Sequence, residues 1–228
     1  MVMVFVSVFL FFSGSSAPAE GHLERKIRAV CPEVSPTILS ILTEDIPDYR
    51  GDISEDLIVA VAKVETTCSH PSKPGGAGEW GILQVIPHDR HIVAALVEYR
   101  CENTNTEKVR FNGVRVPLCL PDGRLNIRVG SSVSLARCIA VLQWSPRLAF
   151  RIGISELKYW RGMYENVYKT RYWSSKYLMV SSVWYRSVRK RLGDNVFVTH
   201  HNWGPRLILG NTYPLRIAKE MEKVKEVQ

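Results

Sequence analysis

The chain has 228 residues, 46% of them hydrophobic, with a formal net charge of +8. That length excludes more than two domains, and the apolar content excludes wholesale disorder. The positive balance points to an acidic or polyanionic partner, but it does not separate wall polymer, nucleic acid and anionic lipid.

Residues 1–12 are almost entirely apolar and lead through Ser13-Gly14-Ser15-Ser16 to Ala17-Pro18-Ala19. An apolar run of this length before an Ala-x-Ala site predicts a signal peptide cut after Ala19, with no Lys or Arg ahead of the run. The run is short of the roughly 20 residues that span a bilayer. Ser35-Pro36 predicts a helix start, continued by Ile38, Leu39, Ile41 and Leu42 and broken between Asp45 and Asp52 by Pro47 and Gly51. Ser54 caps the next helix, with Glu55 and Asp56 set against its N-terminal dipole. Leu57, Val61 and Val64 share one face of it, and Glu65 lies on the edge of that apolar stripe. A carboxyl there is held near the protonation boundary that general acid chemistry needs, whereas a lone terminal Glu more commonly turns to solvent.

His70 to Gly81 is rich in Pro and Gly and reads as a loop. Helical periodicity returns at Arg90–Tyr99, Val133–Gln143, Ile152–Tyr168, Lys176–Arg191 and Leu215–Val227. Between the first two lies a hairpin signal: Val109-Arg110-Phe111 and Val114-Arg115-Val116 flank Asn112-Gly113, a type I′ turn pair. Cysteines stand at 31, 68, 101, 119 and 138. In an exported chain Cys101–Cys119 is expected to bracket the hairpin, Cys31–Cys68 to form a second bridge, and Cys138 to stay free in a core helix. No Cys-x-x-Cys pair is present, which removes the main support for zinc-ribbon and thioredoxin-like readings.

Three blocks in order carry the functional reading: Glu65-Thr66, then Gly78-Glu79-Trp80-Gly81-Ile82-Leu83-Gln84, then His200-His201-Asn202-Trp203-Gly204-Pro205. They resemble the soluble lytic transglycosylase (SLT), goose-lysozyme-like family, whose pattern is Glu-Ser, Gly-x-x-Gly-Leu-Met-Gln and Ala-Tyr-Asn-x-Gly-Pro. A looser block, Phe150 to Leu157, is similar to that family's Asn-Ile-x-x-Gly-x-x-Tyr-Leu helix. The resemblance covers roughly Ser54 to Pro205. It implies a mainly α, lysozyme-like domain over residues 20–228, with a small disulfide-bracketed β-hairpin insertion at about 100–120.

The same resemblance implies cleavage of the β-1,4 bond between N-acetylmuramic acid and N-acetylglucosamine in peptidoglycan. Glu65 would act as both acid and base, and the muramic C6 hydroxyl would close a 1,6-anhydro ring. Substrate contacts would come from Thr66, Gly81, Gln84, His201 and Asn202. His201 stands where the family has a tyrosine that touches the catalytic glutamate, and is expected within hydrogen-bonding reach of Glu65. No cofactor and no metal are expected: His88, His91, His200 and His201 have no carboxylate or cysteine set in sequence that completes a metal motif.

The expected partners are glycan strands, with a secretion or phage apparatus as a further candidate. A monomer in the periplasm or outside the cell is expected. The competing readings are a goose-type lysozyme that hydrolyses the same bond, and an inactive wall-binding module. Nucleic acid is not expected, although Tyr159-Trp160 to Trp184-Tyr185 interleaves aromatic with basic residues. Core packing explains half or more of those aromatics.

Overall fold

The computed structural model describes residues 21–102, 107–168, 183–203 and 211–227. The signal-peptide expectation for 1–19, and Gly204 and Pro205 of the third block, lie outside the described residues.

The chain is mainly helical. Helices α1 (His22–Val30), α2 (Pro36–Tyr49) and α3 (Glu55–Thr66) come first, followed by the glycine-rich turn and α4 (Arg90–Glu98). The insertion then pairs β1 (Lys108–Phe111) with β2 (Val114–Pro117) antiparallel, Phe111 opposite Val114. Asn112 and Gly113 both adopt positive φ, 48° and 80°, as a type I′ turn requires. A shorter pair, β3 (Arg128–Val129) with β4 (Ser132–Val133), extends the insertion beyond the expected hairpin. Helices α5 (Leu135–Trp144), α6 (Pro146–Met163), α7 (Val183–Leu192), α8 (Val198–Trp203) and α9 (Tyr213–Lys225) complete the described chain.

The expected caps form. Ser35 accepts from the Ile38 amide at 3.3 Å, and Ser54 from the Leu57 amide at 3.2 Å. Several boundaries differ from the sequence reading. Helix α2 runs through Pro47 to Tyr49, because a proline in the last turn forfeits only one backbone bond and Asp45 is anchored by Arg151. Helix α6 begins at Pro146 rather than Ile152, capped by Ser145, which accepts from the Leu148 amide at 3.4 Å. Val133 pairs in β4, so α5 starts two residues later than expected.

The core divides into two apolar clusters that meet on α6. Phe150, Ile154 and Leu157 face the cluster built on α2, α3, α7 and α9; Leu148, Ala149 and Ile152 face the one built on α4, α5 and the insertion. Leu57 to Ala62 of α3 are all fully buried, as expected of a helix packed on every side. Both expected disulfides are present. Cys31–Cys68 ties the end of α1 to the end of α3, and Cys101–Cys119 closes the insertion, while Cys138 is free and buried on α5. Burial pushes the Cys138 thiol up to about 11.

One buried ion cluster joins α2 to α6. Asp45, 1% exposed, accepts from Arg151 Nε at 3.1 Å and Nη2 at 3.0 Å, and from Arg147 Nη1 at 3.1 Å. The remaining Arg151 donor, Nη1, reaches Tyr99 Oη at 3.0 Å and Glu102 Oε1 at 2.9 Å.

Candidate active site

Glu65 sits in the last turn of α3. The helix stops there because Thr67 takes a left-handed conformation, φ 57°, and Cys68 is drawn into its disulfide. Arg216 of α9 donates to the Val64 carbonyl at 3.1 Å and so satisfies one of the terminal carbonyls. Glu65 is thereby fixed at the rim of the core, its side chain 11% exposed.

The Gly78–Val85 turn packs directly beneath it. Trp80 and Val85 exchange backbone hydrogen bonds at 2.8 Å each way, folding the six residues back on themselves. Gly81 has φ 84°, and a Cβ there would stand 2.8 Å from the Ala149 Cβ, so both its backbone angle and its neighbour demand glycine. Gln84 also adopts positive φ, 55°, and its carboxamide donates to the Gly81 carbonyl at 2.8 Å. Thr66 Oγ1 donates to the Ile82 carbonyl at 2.9 Å, which staples the end of α3 to the turn.

From the other side, His201 on α8 donates through Nε2 to the next carbonyl, Leu83, at 2.8 Å. Two consecutive carbonyls thus receive the two flanking blocks. The same Nε2 lies 3.9 Å from Glu65 Oε1, beyond hydrogen-bond range. The contact expected between His201 and Glu65 is therefore a near approach, because the Nε2 proton is spent on Leu83. With its side chain 1% exposed, His201 faces protein groups. Thr66, Gly81 and Gln84 line the turn and hold its shape through the contacts above. Asn202 falls within α8, and its side chain lies outside what is described.

Two residues that the sequence reading did not single out complete the site. Tyr213, wholly buried at the start of α9, brings its hydroxyl against the Glu65 carboxyl without closing a hydrogen bond of standard geometry. Glu156 on α6, 4% exposed, lies behind His201: its Oε2 is 3.6 Å from His201 Nδ1, and its Oε1 is 3.5 Å from His91 Nε2. The Trp160 indole donates to Glu156 Oε1 at 3.4 Å. Burial raises the Glu65 carboxyl above its ordinary value. His201 and the Tyr213 hydroxyl pull it down, while the negative charges of Glu79 and Glu156 push it up. Burial and the neighbouring Glu65 raise the Tyr213 hydroxyl well above its ordinary value, so it stays a donor.

Asp89, His91 and Glu156 each bring one donor atom within 4.8 Å of the others. The structure thus supplies the carboxylates that the sequence pattern lacked around His91. The Trp160 indole already donates to Glu156 Oε1, and we assign the grouping no metal role. The described aromatics of the Tyr159–Tyr185 stretch make contacts within the protein, although Tyr159 is itself exposed. Tyr159 stacks on His91 at 4.3 Å, Trp160 on His200 at 5.7 Å, and Trp184 donates to the Asn211 carbonyl at 3.0 Å.

The arrangement offers one rim carboxyl with a raised affinity for its proton, a hydroxyl donor beside it, and a histidine–carboxylate pair behind. Comparison of the chain with protein-family models, with curated proteins and with solved structures finds no match, so the functional reading rests on these residues.

Proposed function

We propose that this chain is a peptidoglycan lytic transglycosylase built on a lysozyme-like domain, with Glu65 as its single acid and base. One observation carries the reading. Blocks far apart in sequence converge on adjacent carbonyls, Thr66 on Ile82 and His201 on Leu83, around a nearly buried Glu65 whose proton affinity is raised.

In this reading the protonated Glu65 donates to the glycosidic oxygen, and the bond to the muramic C1 breaks with an oxocarbenium-like centre left behind. The carboxylate then takes the proton of the muramic C6 hydroxyl as that oxygen closes on C1. One carboxyl serves both steps because its proton affinity lies closer to neutrality than that of an ordinary glutamate. Two-carboxylate hydrolysis would need a second group on the far side of the sugar. Glu156 is an unsuitable candidate, being buried behind His201.

The two disulfides fit an oxidising compartment, and among the described residues no helix is long and apolar enough to cross a membrane. We place the enzyme outside the cytoplasm, acting on glycan strands as a monomer. Digestion of purified peptidoglycan followed by mass spectrometry tests the proposal. Anhydromuramoyl ends are expected from the wild type and none from Glu65→Gln, whose fold should be intact by circular dichroism. Products with ordinary reducing ends would move the assignment to a goose-type lysozyme, and an active Glu65→Gln protein would refute Glu65 as the acid.

A further inference from the structure

Several buried polar atoms without a hydrogen-bond partner gather in one place. His91 Nε2, Glu156 Oε2 and His201 Nδ1 are all among them, and all belong to the cluster behind Glu65. Orphaned buried polar atoms are rare, because a buried group without a partner loses its hydration and gains nothing in return.

The protonation of His201 follows from its partners. A carbonyl oxygen can only accept, so the contact to Leu83 fixes a proton on Nε2. Nδ1 then faces Glu156 Oε2 at 3.6 Å. If that nitrogen and that carboxylate were both bare, two lone pairs would oppose each other in a water-free site. Either Nδ1 carries a proton and faces a carboxylate, or Glu156 carries it and faces a neutral ring. Both arrangements contain one proton between the two atoms, and both leave the pair with no net charge. Among the described residues, Glu156 has no lysine or arginine contact that could neutralise it instead; its neighbours are His91, His201 and the Trp160 indole.

We propose that Glu156 and His201 hold a single proton between them, and that Glu156 is a positioning residue which, through His201, keeps Glu65 in its acid form. This rests on the reading of Glu65 as the acid. An imidazolium alone, 3.9 Å from Glu65 Oε1, would favour the carboxylate and deplete the acid. Paired with Glu156, the same ring presents no net charge. His201 is also a departure from the lytic transglycosylase pattern, which has tyrosine there.

The charged and titratable groups around the ring are few. Glu65 faces it from α3, Glu156 from α6, with His91 and Asp89 of the α4 end beyond Glu156. Tyr213 of α9 and Glu79 of the turn act on Glu65 itself. His200, on the same helix, is turned to Trp160.

Nitrogen-15 NMR of the imidazole rings in the full, disulfide-intact chain tests this without reference to activity. In the wild type at neutral pH, His201 Nδ1 should register as protonated or proton-sharing. A bare Nδ1 at pH 7 would overturn the proposal, and this spectrum decides even if no variant folds. In Glu156→Gln, Nδ1 should become bare at neutral pH.

Wall cleavage by Glu156→Gln should then fall below the wild type only on the acid side, where the unpaired ring becomes imidazolium, and match it on the alkaline side. A profile parallel to the wild type throughout, in a folded and active variant, would overturn the coupling to Glu65. Absence of cleavage in the wild type would instead refute the function proposed above, leaving the shared proton to be judged by NMR.

Discussion

Two glycines on α6 give opposite predictions for the same substitution. Gly153 lies where the helix crosses the Leu83 turn: a Cβ there would stand 2.7 Å from Leu83 Cβ and 2.8 Å from Leu83 Cδ1. Carbon atoms in ordinary contact sit at about 3.5–4.0 Å, so helix and turn must part by roughly 1 Å. The nearer atom is fixed to the backbone and cannot swing aside. Overpacking of this kind costs about 1–3 kcal/mol, and the gain in helix propensity from Gly to Ala returns only about 0.8–1 kcal/mol. Gly153→Ala should therefore destabilise by up to about 2 kcal/mol, lowering Tm by up to about 8 °C for a chain of this size. Gly162, nine residues further along α6, has nothing within 4 Å of its would-be Cβ. Gly162→Ala keeps only the propensity gain and should raise Tm by about 2–4 °C. Thermal unfolding followed by circular dichroism, with disulfides intact, measures both. Equal upward shifts would refute the close crossing of α6 over the Leu83 turn, and with it the route by which the Leu83 carbonyl is held for His201.

Glu65 also makes a pH-dependent prediction about stability. Its folded value is raised above the ordinary 4.5, so its favourable share is present below that value and is lost as pH rises and the buried carboxyl must ionise. Glu65→Gln removes the penalty, and its Tm relative to wild type should climb between about pH 4 and pH 8; a constant difference would contradict the raised value. The Cys101–Cys119 bridge closes a loop with a sequence separation of 18, worth about 3 kcal/mol in the chain-entropy account. The double Cys→Ser variant should therefore lower Tm by roughly 6–12 °C, and free thiols at both positions in the wild type on non-reducing peptide mapping would reject the bridge.

What could be read from sequence was whatever is encoded locally. Ser54 with two acids behind it marks the start of α3, Asn112-Gly113 marks the hairpin, and the spacing of Gly78 and Gly81 marks a tight turn, because each signal acts within a few residues. The start of α6 was equally available. Ser145-Pro146 is the same pair of residues as Ser35-Pro36, although helical periodicity becomes clear only at Ile152. Tyr213 and Glu156 were beyond such reading. Tyr213 precedes a proline at a helix start and carries no pattern, and Glu156 sits on an otherwise ordinary amphipathic helix. Their meaning comes from the packing of α6, α8 and α9 around the end of α3, a tertiary outcome that no local signal encodes. Gln84 is expected to contact substrate, and the structure spends its carboxamide on closing its own turn.

Helix α6 buries two charged side chains five positions apart, and the contrast between them separates scaffold from site. Arg151 and Asp45 form a closed set. The guanidinium reaches Asp45 through two nitrogens and gives its third to Tyr99 and Glu102, so the desolvation of both charges is answered in full. Such a cluster fixes α2 against α6 and has nothing left to offer a ligand. Glu156 is buried to a similar depth but is matched by two imidazoles at 3.5 and 3.6 Å and a long indole contact, with three atoms of the group left unpaired. An arrangement serving stability alone would do better with an arginine there, or with apolar side chains of the same volume. Histidine differs from both in being able to gain or lose a proton near neutral pH. The incomplete pairing is also adjacent to the one carboxyl whose raised proton affinity the proposed chemistry requires. Strain of this kind concentrates where a group must change state, and here it marks the proton, rather than the fold, as what Glu156 and His201 are arranged to hold.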